Sequence, residues 1–131
     1  MKTDQNIHAT AVILDGRGIL IMGPSGAGKT DLAIRLIEAG GILVSDDRTL
    51  VHQEAGRVVA RAPESIAGKI ELRGYGILDV AHEPETEIDL VIDLKPGRDI
   101  ERMPDPAERV IDGVSLRLIE LDGSEASAVA K

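Results

Sequence analysis

The sequence contains no cysteine, tryptophan or phenylalanine, and Tyr75 is its one aromatic residue. Missing thiols exclude disulfides, thiolate metal sites and a cysteine nucleophile together, and they fit a reducing compartment. Missing rings mean that the core must be aliphatic. Long apolar runs are absent too, since none approaches the roughly 18 residues of a helical membrane span. The opening MKTDQNIHAT has no apolar segment of the secretory kind. The expected location is therefore the cytoplasm, with no membrane partner. Positive charge is scarce, with 15 Lys and Arg against 23 Asp and Glu and a formal net charge of −8. That balance disfavours nucleic acid as a partner, because nucleic-acid binders collect cations that displace counterions from phosphates.

What remains is 43% hydrophobic and 29% charged over 131 residues, the profile of one globular domain spanning 1–131. IHATAVIL (7–14) reads as a strand that turns at DGRG, where Gly16 supplies positive φ. ILIM (19–22) does not alternate, so it reads as the returning strand buried on both faces. Leu32, Ala33, Leu36 and Ile37 then recur at helical spacing, and Gly40-Gly41 ends that helix. Further strands are expected at ILVS (42–45), on both sides of EAG (54–56), within KIELRGYGILDV (69–80), and at IDLVIDL (88–94), which reads as central. RVIDGVSLRLIEL (109–121) carries a second DG hairpin signal, and the tail 122–131 has little to bury and is expected to fray. No repeat or linker is visible. Strands outnumber helices, unlike the alternation of a doubly wound domain. The expected class is α/β: a mixed β-sheet with a P-loop and one main phosphate-binding helix.

GPSGAGKT (23–30) satisfies the P-loop pattern at Gly23, Gly28, Lys29 and Thr30, with a further glycine at Gly26. Successive backbone N–H groups must converge on anionic oxygens, and side chains at the glycines would obstruct them. The whole loop, Gly23, Pro24, Ser25, Gly26, Ala27, Gly28, Lys29 and Thr30, is the expected nucleotide-binding segment. Lys29 can reach the terminal phosphates, the Thr30 hydroxyl can ligate Mg²⁺, and the helix start adds its positive dipole end.

Phosphate chemistry also needs acids. Asp46-Asp47 follows one apolar strand and Asp93 lies within another; two adjacent carboxylates can divide metal or phosphate control from proton transfer. Alone, the pair is also consistent with a solvated turn. His8 lies across the DGRG hairpin from the strand that feeds the loop. It can polarise a nearby carboxylate, or be a structural strand residue. His52 and His82 read as surface. Glu71 and Arg73 are two apart and share a strand face, one offering oxygen to a cation and the other a planar donor fork to a phosphoryl group; an exposed salt pair is the other reading.

In this order, HATAV, GPSGAGKT, SDDR and ELRGYGILDV resemble the histidine segment, Walker A loop, Asp-Asp-Arg segment and signature stretch of the HPr kinase/phosphorylase family, in its catalytic domain. The likeness runs over roughly 7–121, and the sequence is similar to the short α-proteobacterial form without the usual N-terminal domain. It departs at Pro24, Ala9 and Tyr75, none a proposed catalytic group. The resemblance implies a phosphoenolpyruvate carboxykinase-like fold and ATP-dependent phosphorylation of a serine on HPr or an HPr-like phosphocarrier. It also implies the reverse phosphorolysis by inorganic phosphate to pyrophosphate, and a hexameric homo-oligomer. By the same resemblance, Asp47 exchanges the serine proton, Asp46 and His8 tune it, and Lys29 holds the terminal phosphates. Thr30, Asp47 and Glu71 face Mg²⁺, and Arg73 stabilises the transferring group. IERM places Arg102 beside these as a further candidate. A small-molecule kinase on the same fold, or an ATP-sensing module without turnover, are the competing readings. A sensor has no need of Asp46, Asp47, His8 and Arg73 together, and no loop is obviously long enough for a metabolite lid.

Overall fold

A computed structural model of the chain describes residues 5–23, 28–72, 76–94 and 107–121. Eleven strands and one α-helix are formed among them. In chain order they are β1 (Gln5–Ile7), β2 (Ala9–Leu14), β3 (Arg17–Met22), α1 (Lys29–Glu38), β4 (Ile42–Ser45), β5 (Thr49–Glu54) and β6 (Arg57–Arg61). β7 (Lys69–Leu72), β8 (Gly76–Asp79), β9 (Glu85–Leu94), β10 (Ala107–Ile111) and β11 (Val114–Leu121) follow, with a single 3-10 turn at Glu64–Ile66 between β6 and β7.

β9 is the hub. Its first residues pair antiparallel with β6, its middle pairs parallel with β3, and its last five pair parallel with β11. The sheet runs β1-β5-β6-β9-β3-β2-β4, with the β10–β11 hairpin joined through β11. This is the mixed sheet expected from the sequence, and 88–94 is central to it as expected. β7 and β8 form a separate two-stranded hairpin.

Three of the hairpin turns use positive φ at both central residues, at Asp15-Gly16, Ala55-Gly56 and Asp112-Gly113, the backbone hand that matches the twist of the flanking strands. α1 stops in a Schellman closure: the Gly41 N–H donates to Leu36 O at 2.8 Å and the Gly40 N–H to Ile37 O at 3.0 Å.

The non-alternating β3 is explained by two cores, one on each face. Ile19 and Ile21 pack with Leu32, Ala33 and Leu36 of α1. Leu20 packs on the other face with Val44, Val51, Val58 and Val91. Ile70 of β7 joins the helix side, so the small hairpin rests on α1.

The approach of β3 to β9 is close enough to require glycine. A Cβ on Gly18 would stand 1.9 Å from Glu87 O, a backbone atom, while the Gly18 N–H donates to Asp89 Oδ2 at 3.1 Å. We expect Gly18→Ala to lower the unfolding free energy by about 3 kcal/mol through forced strand separation. Gly16→Ala, whose Cβ would meet nothing within 4 Å, should lose only about 1 kcal/mol for its positive φ. Urea titration of both variants checks the difference, and equal losses would contradict the close crossing.

Candidate active site

The site is built where a two-stranded ladder is interrupted. β1 pairs antiparallel with β5 (Ile7↔Thr49) and β2 with β4, and the Ala11↔Ser45 pair of the second keeps the offset of the first. Between them the chain leaves the ladder on both sides, at His8 and at Asp46–Arg48. The pairing returns after Ala11 with a register shift, so that Val12 faces Leu43. That bulge places one additional β4 residue against β2 and re-aims the strand end, as bulges beside active sites do. With the offset carried across the gap, Asp46 comes opposite Thr10, and same-facing partners in an antiparallel pair touch.

Hydrogen bonds hold this arrangement. Thr10 Oγ1 donates to Asp46 Oδ1 at 3.2 Å and accepts from the Asp47 backbone N–H at 3.0 Å. Thr30 Oγ1, in the first turn of α1, donates to the same Asp46 Oδ1 at 2.9 Å. The Arg48 N–H donates to Asp46 O at 2.8 Å, closing a three-residue turn centred on Asp47. Asp47 itself has φ 67, a left-handed conformation uncommon outside glycine. Ser45 Oγ donates to Arg48 O, and Thr49 Oγ1 donates to Ala9 O at 2.8 Å, tying the strands beyond the turn.

The two acids occupy different environments. Asp46 is 6% exposed, whereas the Asp47 side chain is 58% exposed. His8 Nε2 lies 2.6 Å from Asp47 Oδ1. The sequence placed His8 on a strand; it stands in a bend between β1 and β2, at the point where the chain changes partner from β5 to β3 and β4. Freed from the ladder, the imidazole reaches the acid.

The glycine loop leaves from the end of β3. Gly23 and Gly28 are described; Pro24, Ser25, Gly26 and Ala27 lie outside the described residues. Gly28 is the N-cap of α1 at φ 98 with no side-chain cap, which leaves the first-turn N–H groups to an anion. Lys29 is 5% exposed, and its Nζ donates to Gly23 O at 2.9 Å, clasping the two ends of the loop.

The structure thus brings His8, Thr30, Asp46 and Asp47 into one hydrogen-bonded group at the start of α1, with Lys29 next to Thr30 in the chain. Glu71 is in β7, paired with Ile77; its side chain, Arg73 and Arg102 lie outside the described residues, as does the tail 122–131. Asp93 is carried by β9 beside Met22. His52 is half-buried, with Nε2 3.8 Å from Glu54 Oε2, instead of lying at the surface. His82 is exposed as expected. Sequence reading passes over Thr10. Its signal was a lone hydroxyl inside the otherwise apolar ATAVIL, and its depth, 0% exposed, becomes visible only once β2 has neighbours on both edges.

Known proteins match this chain in sequence and in fold. The family model described as HPr Serine kinase C-terminal domain matches residues 1–129. The chain is similar to the HPr kinase/phosphorylase of Caldicellulosiruptor bescii, with 40% identity over 107 residues, 73% of this chain and 34% of that protein. It is also similar to the HPr kinase/phosphorylase of Mycoplasmopsis pulmonis, with 38% identity over 96 residues, 68% of this chain and 31% of that one. The chain spans about a third of the length of these curated relatives. Among solved structures, the Hpr(Ser) kinase/phosphatase from Coxiella burnetii superposes with a TM-score of 0.81 at 31% identity, covering 89% of this chain and 85% of that one. The match of the family model over nearly the whole chain and the likeness of its mixed curled sheet to that solved structure place this chain in the HPr serine kinase C-terminal domain family.

Proposed function

We propose that this domain transfers the γ-phosphoryl group of ATP to a serine hydroxyl of HPr or an HPr-like phosphocarrier, and that it also runs the reverse phosphorolysis. The observation that carries the reading is the division between the acids: Asp46 is buried and bound by the Thr30 hydroxyl, while Asp47 is exposed and paired with His8. A protein serine can approach only the exposed carboxylate. The names of the relatives, HPr kinase/phosphorylase, support the same substrate.

In the forward direction the serine Oγ attacks the γ-phosphorus as Asp47 takes its proton, and the bond to the β-phosphate oxygen breaks to release ADP. His8, hydrogen-bonded to Asp47 Oδ1, fixes the carboxylate and stabilises whichever charge the pair holds. In reverse, an oxygen of inorganic phosphate attacks the phosphoserine phosphorus, the serine oxygen leaves with a proton returned by Asp47, and pyrophosphate is formed. Positioning and positive charge do most of the work in such transfers. Lys29 supplies charge at the terminal phosphates, and Arg73 is assigned to the transferring group by the family resemblance.

The donor set suits Mg²⁺. Thr30 Oγ1 and the Asp46 carboxylate are hard oxygens 2.9 Å apart at the loop, the ligand type this ion prefers. Thr30 and Asp46 would hold it, with Asp47 and Glu71 as the further oxygens the resemblance assigns. When bound, Mg²⁺ neutralises charge on the phosphate oxygens. The remaining elements of the reading are a phosphoenolpyruvate carboxykinase-like sheet, a cytoplasmic location and a homo-oligomer, hexameric by resemblance. No helix among the described residues is long and apolar enough to cross a membrane.

The deciding experiment incubates the protein with γ-labelled ATP, Mg²⁺ and HPr, then locates the label. Label on an HPr serine is the expected result; label on a small molecule, or tight ATP binding without transfer, would overturn it. Lys29→Ala should weaken ATP binding or turnover by about a hundredfold, read by calorimetry and label transfer, and wild-type behaviour would remove Lys29 from the site. Asp47→Asn should slow transfer by about a hundredfold or more while ATP affinity holds, the range for loss of a general base. Because φ 67 at Asp47 stores backbone strain, Asp47→Gly should be inactive yet more stable by about 1 kcal/mol. A melting temperature below wild type would show that the turn is not strained.

A further inference from the structure

We infer that Thr10 is a positioning residue for phosphoryl transfer, its one hydroxyl setting the place of the base Asp47. This rests on the assignment of Asp47 as that base. Thr10 touches neither substrate, and acts through the acids.

A threonine hydroxyl has one proton to donate and lone pairs to accept. Here both capacities are used at once by consecutive residues. The oxygen accepts the Asp47 backbone N–H at 3.0 Å, and its proton goes to Asp46 Oδ1 at 3.2 Å. Asp46 Oδ1 also receives the Thr30 hydroxyl. A continuous path therefore runs from the backbone of the base, through Thr10 and the buried acid, to the first turn of α1 where the glycine loop ends. The distance between base and phosphate loop is set along that path.

Asp47 needs such an anchor. Its backbone is held in the left-handed region, which surrounding structure must over-determine if it is to persist. The His8 contact constrains only the carboxylate, and both of those side chains are exposed. Thr10 is 0% exposed and sits within β2 between β3 and β4, so it is rigid and water cannot take its place without a cavity. Valine has the same outline but leaves the Asp47 N–H against a methyl group, and removing one partner of a buried hydrogen bond exposes the full desolvation cost of the other. Serine keeps both bonds and drops only a methyl.

The test compares full-length wild type, Thr10→Val and Thr10→Ser in transfer from γ-labelled ATP to HPr, alongside ATP affinity, thermal melting and hydrogen exchange of the Asp47 amide. In Thr10→Val, kcat is expected to fall about a hundredfold, the scale of a displacement near 1 Å, with KM for ATP changed by less than about threefold. The Asp47 amide should exchange at least about tenfold faster, as a donor stripped of its acceptor does. Thr10→Ser should stay within about threefold of wild type in both readouts, because it keeps the hydroxyl. Equal behaviour of the valine and serine variants, or a KM change with kcat intact, overturns the inference while leaving the kinase reading in place. If Thr10→Val does not fold, the serine variant decides alone, and loss of transfer there also overturns it. Wild-type protein that labels nothing removes the assignment of Asp47 and the inference with it, even where the amide exchanges as expected.

Discussion

One offset governs the site. The β1–β5 pairing and the Ala11↔Ser45 pair of β2–β4 share one register across an interruption, and the residues released by that interruption are His8 and the Asp46-Asp47-Arg48 turn. Had the ladder continued unbroken, His8 and Asp47 would be committed to backbone pairing and their side chains directed by the pleat. Breaking it in the middle, with firm pairing above and below, yields loop-like freedom for a few residues on a strand-like support. The bulge after Ala11 then decides which acid faces the buried hydroxyl of Thr10 and which faces outward.

The same support explains how a chain with almost no aromatic residues can hold a site rigidly. β3, which delivers the glycine loop, is sandwiched between two aliphatic clusters, and it lies against β9 closely enough that Gly18 has no space for a Cβ. β9 is in turn gripped by three strands. The loop's point of departure is thus fixed by packing of small branched side chains and by close backbone contact. Close-packed interiors transmit such constraints with little slack.

Much of this was readable from residue order. DG at 15–16 and 112–113 and AG at 55–56 announced hairpins that formed, and the stripe from Leu32 to Ile37 announced α1. IDLVIDL reads as a central strand, and β9 is paired along both edges. The link of His8 to Asp47 is implied by the family resemblance and has a distance in the structure, whereas the bond from Thr30 to Asp46 has no counterpart in the sequence reading. The bulge, the partner change at His8 and the role of Thr10 were not readable. Each depends on which strands become neighbours, a non-local matter that periodicity along one segment does not encode. His52 was misjudged for the same reason: its hairpin read as surface, but the sheet curls and half-covers it.

Lys29 carries a consequence of its own. Its ammonium is already out of bulk water and engaged with the Gly23 carbonyl. Folding, and not ligand binding, has therefore met the dehydration of that cation. A cation whose rotamer is already chosen leaves little side-chain ordering to any later encounter with an anion.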